Sequence, residues 1–405
     1  MSFAMRSILI VALQMSNIII FNSQPIQYIV FFSFSFITSL DIFNLNCKNL
    51  VRIFKMNSQN LLILYLFKVF RNHIILLITT NLTTVLSNGE SILNCIFDAM
   101  VLTVGIDELT NVKHVDRLKK EIRPCYLLVD EILKSVECLE NQSNLYLLSL
   151  TEVIPNISNN ILQEKLYEWS ESISSLFCCL IMKNKIVVAS SAWWDLTAIE
   201  KNLLSLLVAV NSNCTTADIP VFLPIKSPKI AFRFISCCLI SDIWVSALCG
   251  PTPSIIEFEN SAAICWSPVI EYLKEISFSV PQIIPENMNI QNGITGLMVI
   301  DYRIGKYVLL GSIVNNKVYF EILKIFYYQN IKENNLILIF VDKHNNHKVN
   351  ETYWYSENYK LYGLISDPHI LCLMTSSVVP TSSARLISKD MLTSIINNKL
   401  FVCRK

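Results

Sequence analysis

Ile96–Leu133, reading IFDAMVLTVGIDELTNVKHVDRLKKEIRPCYLLVDEIL, holds the clearest helix pattern in this 405-residue chain. Ser87 or Asn88 can cap a helix whose apolar face runs Ile92, Ile96, Ala99 and Met100 at helical spacing. Gly105 stands where that helix needs a left-handed C-terminal cap, which glycine adopts without a Cβ penalty. A second helix is predicted from Asn111, with Val112, Val115, Leu118, Ile122, Cys125, Tyr126 and Val129 on one face. Lys113, Asp116, Arg117, Lys120, Glu121 and Arg123 fall mostly on the other. The stripe reads as a core face, and the charges as a solvated or partner-facing one. Pro124 should kink or end this helix near Arg123.

Working outward, the chain is long enough for two or three domains. Hydrophobic residues make up 52% and charged ones 16%, an apolar balance that implies membrane contact or surfaces covered by another protein. A net charge of +1 gives no electrostatic case for nucleic acid. With eight glycines, neither a GxGxxG motif nor a P-loop can be written, so no nucleotide cofactor is expected. The thirteen cysteines include no CxxC pair and no zinc-ligand spacing with histidine, so no metal is expected. Cys178–Cys179 and Cys237–Cys238 sit in apolar runs and read as buried thiols of a reducing compartment. The sequons at Asn81, Asn141, Asn156, Asn213 and Asn350 are the chance matches of a chain rich in Asn, Ser and Thr.

Residues 1–56 do not fit the rest. Ser7–Ile20 and Ile29–Phe43 are apolar; the first resembles a signal-peptide core without a convincing cleavage site. The second falls short of the roughly 20 residues a spanning helix needs. A membrane anchor is one reading. The other is a mis-assigned first exon with a restart at Met56, because this Ile/Phe/Asn/Ser-rich text resembles translated AT-rich noncoding sequence and contains no glycine before Gly89. On that reading the first domain lacks its opening strands.

From about residue 60 the chain reads as three α/β units. Phe67–Thr79 gives an apolar strand before the two helices above. The second unit opens with a strand over Leu145–Leu150 and a helix over Ile161–Ser174. A hairpin follows, Leu176–Met182 and Ile186–Ser190 around a turn at Lys183–Lys185. The capping box Thr197-Ala-Ile-Glu200 then starts a helix reaching Val210. In the third unit, Ile294–Tyr302 and Lys306–Ser312 flank a turn at Arg303–Gly305, with a helical run over Lys317–Tyr328. Linkers are expected at Glu140–Ser143 and Pro281–Asn292. The domain expectation is 1–56 as a non-matching apolar segment, then 57–140, 144–285 and 290–405.

Several blocks carry a family resemblance. Ile96–Leu133 resembles the first-domain signature of the Fuzzy family of planar cell polarity effectors, with Pro124 as a departure from its pattern. Ser191-Ala-Trp-Trp-Asp-Leu196, Pro220-Val-Phe-Leu-Pro224 with Ser227-Pro228, and Leu248-Cys-Gly-Pro-Thr-Pro-Ser254 resemble successive blocks of its second domain. Ile294-Thr-Gly-Leu-Met298 is more loosely similar to the opening of its third. The resemblance implies an α+β fold of three longin-like domains, each a five-stranded antiparallel sheet packed by helices. It implies pairing with an Inturned-like longin protein and a WD-repeat planar polarity effector in the ciliogenesis complex. It also implies binding of a Rab-type small GTPase, and a place in the cytoplasm and cytoskeleton at the ciliary basal body, with membrane contact at most peripheral.

An enzyme would need a base, a nucleophile and an orienting group in reach. The five histidines are His73, His114, His344, His347 and His369, and neither a GxSxG elbow nor HExxH accompanies them. No catalytic residue is assigned, and the expectation is a noncatalytic subunit. Arg117, Lys119 and Lys120 are the candidate exposed contacts for a partner. Trp193 and Trp194 are further candidates: in an extended segment one would face the core and the other outward. An outward Trp would anchor an interface, whereas a Trp at a domain seam would be buried; both readings stand. The Pro-rich loops read as rigid turns.

Overall fold

A computed structural model describes residues 18–22, 27–31, 51–56, 62–71, 74–80, 85–112, 114–137, 150–154, 159–278, 293–311, 316–332 and 351–397. The expected linkers, His73, His344, His347 and most of Leu145–Leu150 lie outside the described residues. The chain forms two compact units, Met1–Leu145 with Pro220–Phe232, and Tyr146–Ile219 with Arg233–Lys405.

The first unit holds a five-stranded antiparallel sheet of β1 (Ile18–Asn22), β2 (Gln27–Phe31), β3 (Val51–Met56), β4 (Leu62–Phe70) and β5 (Ile74–Thr80), in the order β1-β2-β5-β4-β3. Strands therefore occupy part of residues 1–56, taking in Ile18–Ile20 of the first apolar run and Ile29–Phe31 of the second. No helix among the described residues is long and apolar enough to cross a membrane. The single strand expected over Phe67–Thr79 is instead the end of β4, a turn at Arg71 with φ 51°, and β5.

Helix α1 (Val85–Val104) packs on β4 and β5. It begins before Ser87 and Asn88, so neither is its cap. Ile92, Ile96, Ala99 and Met100 are buried as their spacing requires, and Phe97 stacks on Phe70 with ring centroids 4.4 Å apart. Gly105 does take positive φ, but with ψ 159° it is extended rather than left-handed helical, a region open essentially to glycine alone. It is also the N-cap of the short α2 (Ile106–Thr110). The predicted single helix after it is two, α3 (Val115–Glu121) and α4 (Arg123–Glu137). Pro124 lies in the first turn of α4, where its missing N–H costs nothing. Leu118, Ile122, Cys125 and Val129 are buried; Tyr126, at the same face's margin, is only partly covered.

The second unit contains two sheets. After α5 (Asn159–Ser172) comes the predicted hairpin, β7 (Phe177–Met182) and β8 (Lys185–Ala189), β6 being the short strand described below. Its turn residues Lys183 and Asn184 both have positive φ, the geometry that matches strand twist in a tight hairpin. Cys178 and Cys179 point to opposite faces and are both fully buried, because this strand is covered on both sides. Helices α6 (Ser191–Trp194) and α7 (Ala198–Val210) follow, the latter started by the Thr197/Glu200 capping box. Strands β9 (Thr216–Leu223), β10 (Ser227–Ile240) and β11 (Ile243–Cys249) complete a sheet in the order β8-β7-β11-β10-β9. Pro220, expected in a turn, lies inside β9, an edge strand where a lost N–H breaks no ladder on the open side. Helices α8 (Ile255–Trp266) and α9 (Ile270–Phe278) follow, and the core gathers Leu162, Leu166, Trp169, Phe258, Ala262 and Trp266.

The third sheet uses β12 (Ile294–Asp301), β13 (Lys306–Gly311), β14 (Glu351–Tyr355), β15 (Tyr359–Ser366) and β16 (His369–Ser376). Helices α10 (Asn316–Tyr327), which runs on into a π-helical turn, and α11 (Thr381–Asn397) pack on it. The order is β14-β15-β16-β12-β13, with β6 (Thr151–Glu152) added in parallel beside β13. Numbered within each domain, the second and third sheets share one order: second, first, fifth, fourth, third. The first sheet differs in having its opening hairpin reversed.

Candidate functional site: a polar seam and the exposed surfaces

Residues 150–154 join the second and third sheets. Thr151 N donates to Gly305 O at 2.8 Å and Val153 N to Tyr307 O at 2.9 Å, and Ile154 N then donates to Ile186 O of β8 at 2.9 Å. Glu152 joins the same elements through its side chain, accepting from Lys185 Nζ at 2.6 Å and from Tyr307 Oη at 3.1 Å. Burial, then the adjacent carboxylate, holds the Tyr307 phenol well above its ordinary value, so it stays a donor.

Trp194 lies in this seam. Lys201 Nζ sits 5.0 Å and Lys306 Nζ 5.2 Å from its ring centroid. Lys201 also donates to Trp194 O at 3.3 Å and to Ile304 O at 3.1 Å, while Asn202 Nδ2 donates to Leu150 O at 3.0 Å. Trp193 is fully buried and Trp194 is 8% exposed. The expectation that one of them faces outward is corrected: Ser190 caps a helical turn through Trp193 N at 3.3 Å, and a helical turn does not alternate faces as a strand does. Of the two readings, the seam is the one realised. Trp193 instead packs against Phe234, centroids 6.5 Å apart.

The Leu248–Ser254 block is held by a residue that sequence reading missed. Arg233 Nη1 donates to Pro251 O at 2.8 Å and Pro253 O at 2.7 Å, while its Nε and Nη2 donate to Asp218 at 3.1 Å and 2.5 Å. A planar fork with five donors can serve a carboxylate and a carbonyl cluster together. The pairing was hidden because Asp218 and Arg233 sit on neighbouring strands, and no local pattern links them.

In the first unit, Arg117, Lys119 and Lys120 lie on α3. Arg117 and Lys120 are exposed and Lys119 is half-buried. Arg117 Nε pairs with Glu121 at 2.7 Å and Lys119 Nζ with Asp116 at 3.8 Å, so part of this basic face is neutralised within its own helix. Asp107, Glu108, Asn111, His114 and Arg117 line a cleft of about 250 Å³ beside it. In the third sheet, β14 is an outer edge on which Tyr353, Trp354 and Tyr355 are 41%, 40% and 71% exposed.

Among the described residues no three His, Cys, Asp or Glu side chains gather as a metal site. The ten described cysteines are free thiols. Burial pushes Cys125 and Cys178 up to about 12 and Cys249 up to about 11, which leaves almost no thiolate at neutral pH.

Residues 173–267 match the second longin domain of FUZ, MON1 and HPS1, and residues 294–399 match the third. These spans cover the two sheets of the second unit, β6 excepted. The chain is therefore a longin-domain protein of the type those families share. Among curated proteins it is similar to Fuzzy homologues. It is 28% identical to the Protein fuzzy homolog of Xenopus tropicalis over 327 residues, covering 75% of this chain and 77% of that one. It is 32% identical to the Protein fuzzy homologs of Rattus norvegicus and Homo sapiens over 212 residues, covering 52% of this chain and 50% of each relative. The mammalian matches thus span half the length of those relatives.

Proposed function

We propose that this chain is a noncatalytic subunit of a ciliogenesis and planar cell polarity effector complex. In this reading it pairs with an Inturned-like longin protein, and the pair binds a Rab-type small GTPase and promotes its nucleotide exchange. A WD-repeat effector completes the assembly, which works in the cytoplasm and cytoskeleton at the basal body and supports ciliary transport. The observation that carries this reading is the pair of longin domains in family order, at 173–267 and 294–399, together with the similarity to Fuzzy homologues.

Physical chemistry suits that role. Exchange makes or breaks no covalent bond; it needs a surface that prefers the nucleotide-free GTPase, a difference of affinities that shifts a population. The buried thiols and the structural use of Glu152, Lys185, Lys201 and Arg233 fit a protein whose polar groups hold domains rather than turn over substrate.

The test is co-expression of the full chain with the Inturned homologue of the same organism, followed by size-exclusion chromatography and a nucleotide-release assay on Rab-type GTPases. A 1:1 complex that accelerates release is the expected outcome. A monomer that ignores the partner, or a complex that leaves release unchanged, would overturn pairing or exchange respectively.

A further inference from the structure

Strands β9 and β10 belong to the second longin sheet, yet their outer parts, Pro220–Phe232, belong to the first compact unit. Only Arg233–Ile240 of β10 pairs with β11, so residues 227–232 extend beyond that ladder. Val221 and Leu223 of this arm are buried, and two further contacts join it to α2 and its N-cap. The half-buried Phe222 ring lies where a side chain at Gly105 would go: a Cβ there would stand 2.9 Å from Cε1 and 3.0 Å from Cζ. Lys229 Nζ lies 3.3 Å from Asp107 Oδ1 on α2. The two contacts differ in kind. The first is apolar and independent of salt, whereas the second joins side chains 68% and 58% exposed and is weakened by screening.

The geometry points to a releasable strap: Pro220–Phe232 is latched on α2 by Phe222 over Gly105 and by Lys229 on Asp107, and the arm lifts without unfolding the second sheet. Gly105 is then the keyhole of the latch as well as a backbone requirement. Lys229 is the part that ionic strength, or a competing cation at Asp107, can loosen. Arg233, at the base of the arm, is tied to Asp218 and to the Pro251 and Pro253 carbonyls, which gives the arm a fixed root. The exposed Ile225 and Ile230 lie on the part that moves.

Hydrogen exchange on the full chain tests this, because exchange reports local opening separately from global unfolding. Phe222→Ala and Lys229→Glu should each speed exchange of amides 220–232 by about fivefold or more, with residues 177–182 of β7 unchanged. The charge swap Asp107→Lys with Lys229→Glu should bring the arm back to within about twofold of the starting rate. Unchanged arm exchange in both single variants would overturn the strap. So would equal acceleration at 177–182, which would mean the arm has no independent opening, and so would failure of the charge swap to restore protection.

Discussion

Lys201 holds Trp194 in two ways, with its ammonium 5.0 Å from the ring centroid and 3.3 Å from the same residue's carbonyl oxygen. Its further bond to Ile304 O ties α7 to the β12–β13 turn. A desolvated cation–π pair contributes up to about 2 kcal/mol. Losing the ammonium also leaves buried carbonyls short of a donor, at about 1–3 kcal/mol each. Lys201→Met should therefore lower the stability of the second unit by about 2–4 kcal/mol. Trp194→Ala, emptying a near-complete indole site, should cost about 3–5 kcal/mol. Chemical denaturation followed by tryptophan fluorescence, with Trp194→Ala read by circular dichroism, checks both.

Arg233→Lys is the second test. A lysine ammonium can replace one charge contact but not the fork that reaches Asp218 and the proline carbonyls together. A loss of about 2 kcal/mol is expected, since charged hydrogen bonds contribute about 1.5–3 kcal/mol each and lysine restores part of them. Asp218→Asn in the Arg233→Lys background should cost far less than alone, and a double-mutant cycle measures that coupling.

The two capping boxes make a paired prediction. Thr197 Oγ1 accepts from Glu200 N at 3.4 Å, and Ser254 Oγ from Glu257 N at 3.3 Å. Alanine at either cap should cost about 1 kcal/mol, and lower Tm by about 2–4 °C for a unit of this size. The Glu257 carboxyl is held below its usual range by the Ser254 backbone and hydroxyl, so the second box should weaken as pH falls through that lowered value.

His369 gives the chain a pH dependence of opposite partners. Burial lowers its pKa from the ordinary 6.5, helped by Lys306 and opposed by Asp301 and Asp367. The folded state therefore favours the neutral ring. Its contribution to stability is full above 6.5 and is lost as pH falls through the lower folded value. Urea midpoints at about pH 7.5 and about pH 5.5 should differ, and His369→Gln should reduce that difference.

Lys120→Glu tests the basic face of α3 as a partner contact. Reversal there should weaken capture of the GTPase or of the longin partner and flatten its salt dependence. Arg117→Glu should act more weakly, because Glu121 already offsets that charge. Binding measured at two ionic strengths separates the variants.

Local grammar was the legible part of the fold. The turns at Lys183–Lys185 and Arg303–Gly305, the Thr197 cap and the Pro124 break were readable because each is a short pattern with one cause. Of the two readings of the tryptophans, the outward one rested on the alternation of an extended segment, which Ser190 turns into a helix, and the buried one is realised. The contacts of Glu152, Lys185, Lys201 and Arg233 carried no signal. Their partners lie on other elements, and a charged residue looks the same in sequence whether it meets water or a buried carbonyl. Strands β14–β16 left no clear pattern because the hairpin–helix half of the repeat carries the turn signal, whereas β15 and β16, which follow it, are near-continuous apolar runs.

The five residues 150–154 cap two sheets with one stretch of backbone, since β6 lies along β13 and Val153 and Ile154 meet β8. Anyone expressing the third longin domain alone, starting at the apparent boundary near residue 290, would strip that cover. The protein so made would carry raw strand margins at β13 and β14, one of them lined with tyrosine and tryptophan. Bare margins of this kind recruit their own copies. The β13 margin thus depends on where the chain is cut: a start before Leu150, which brings the second domain with it, keeps that margin sealed, whereas the β14 margin is open in either case.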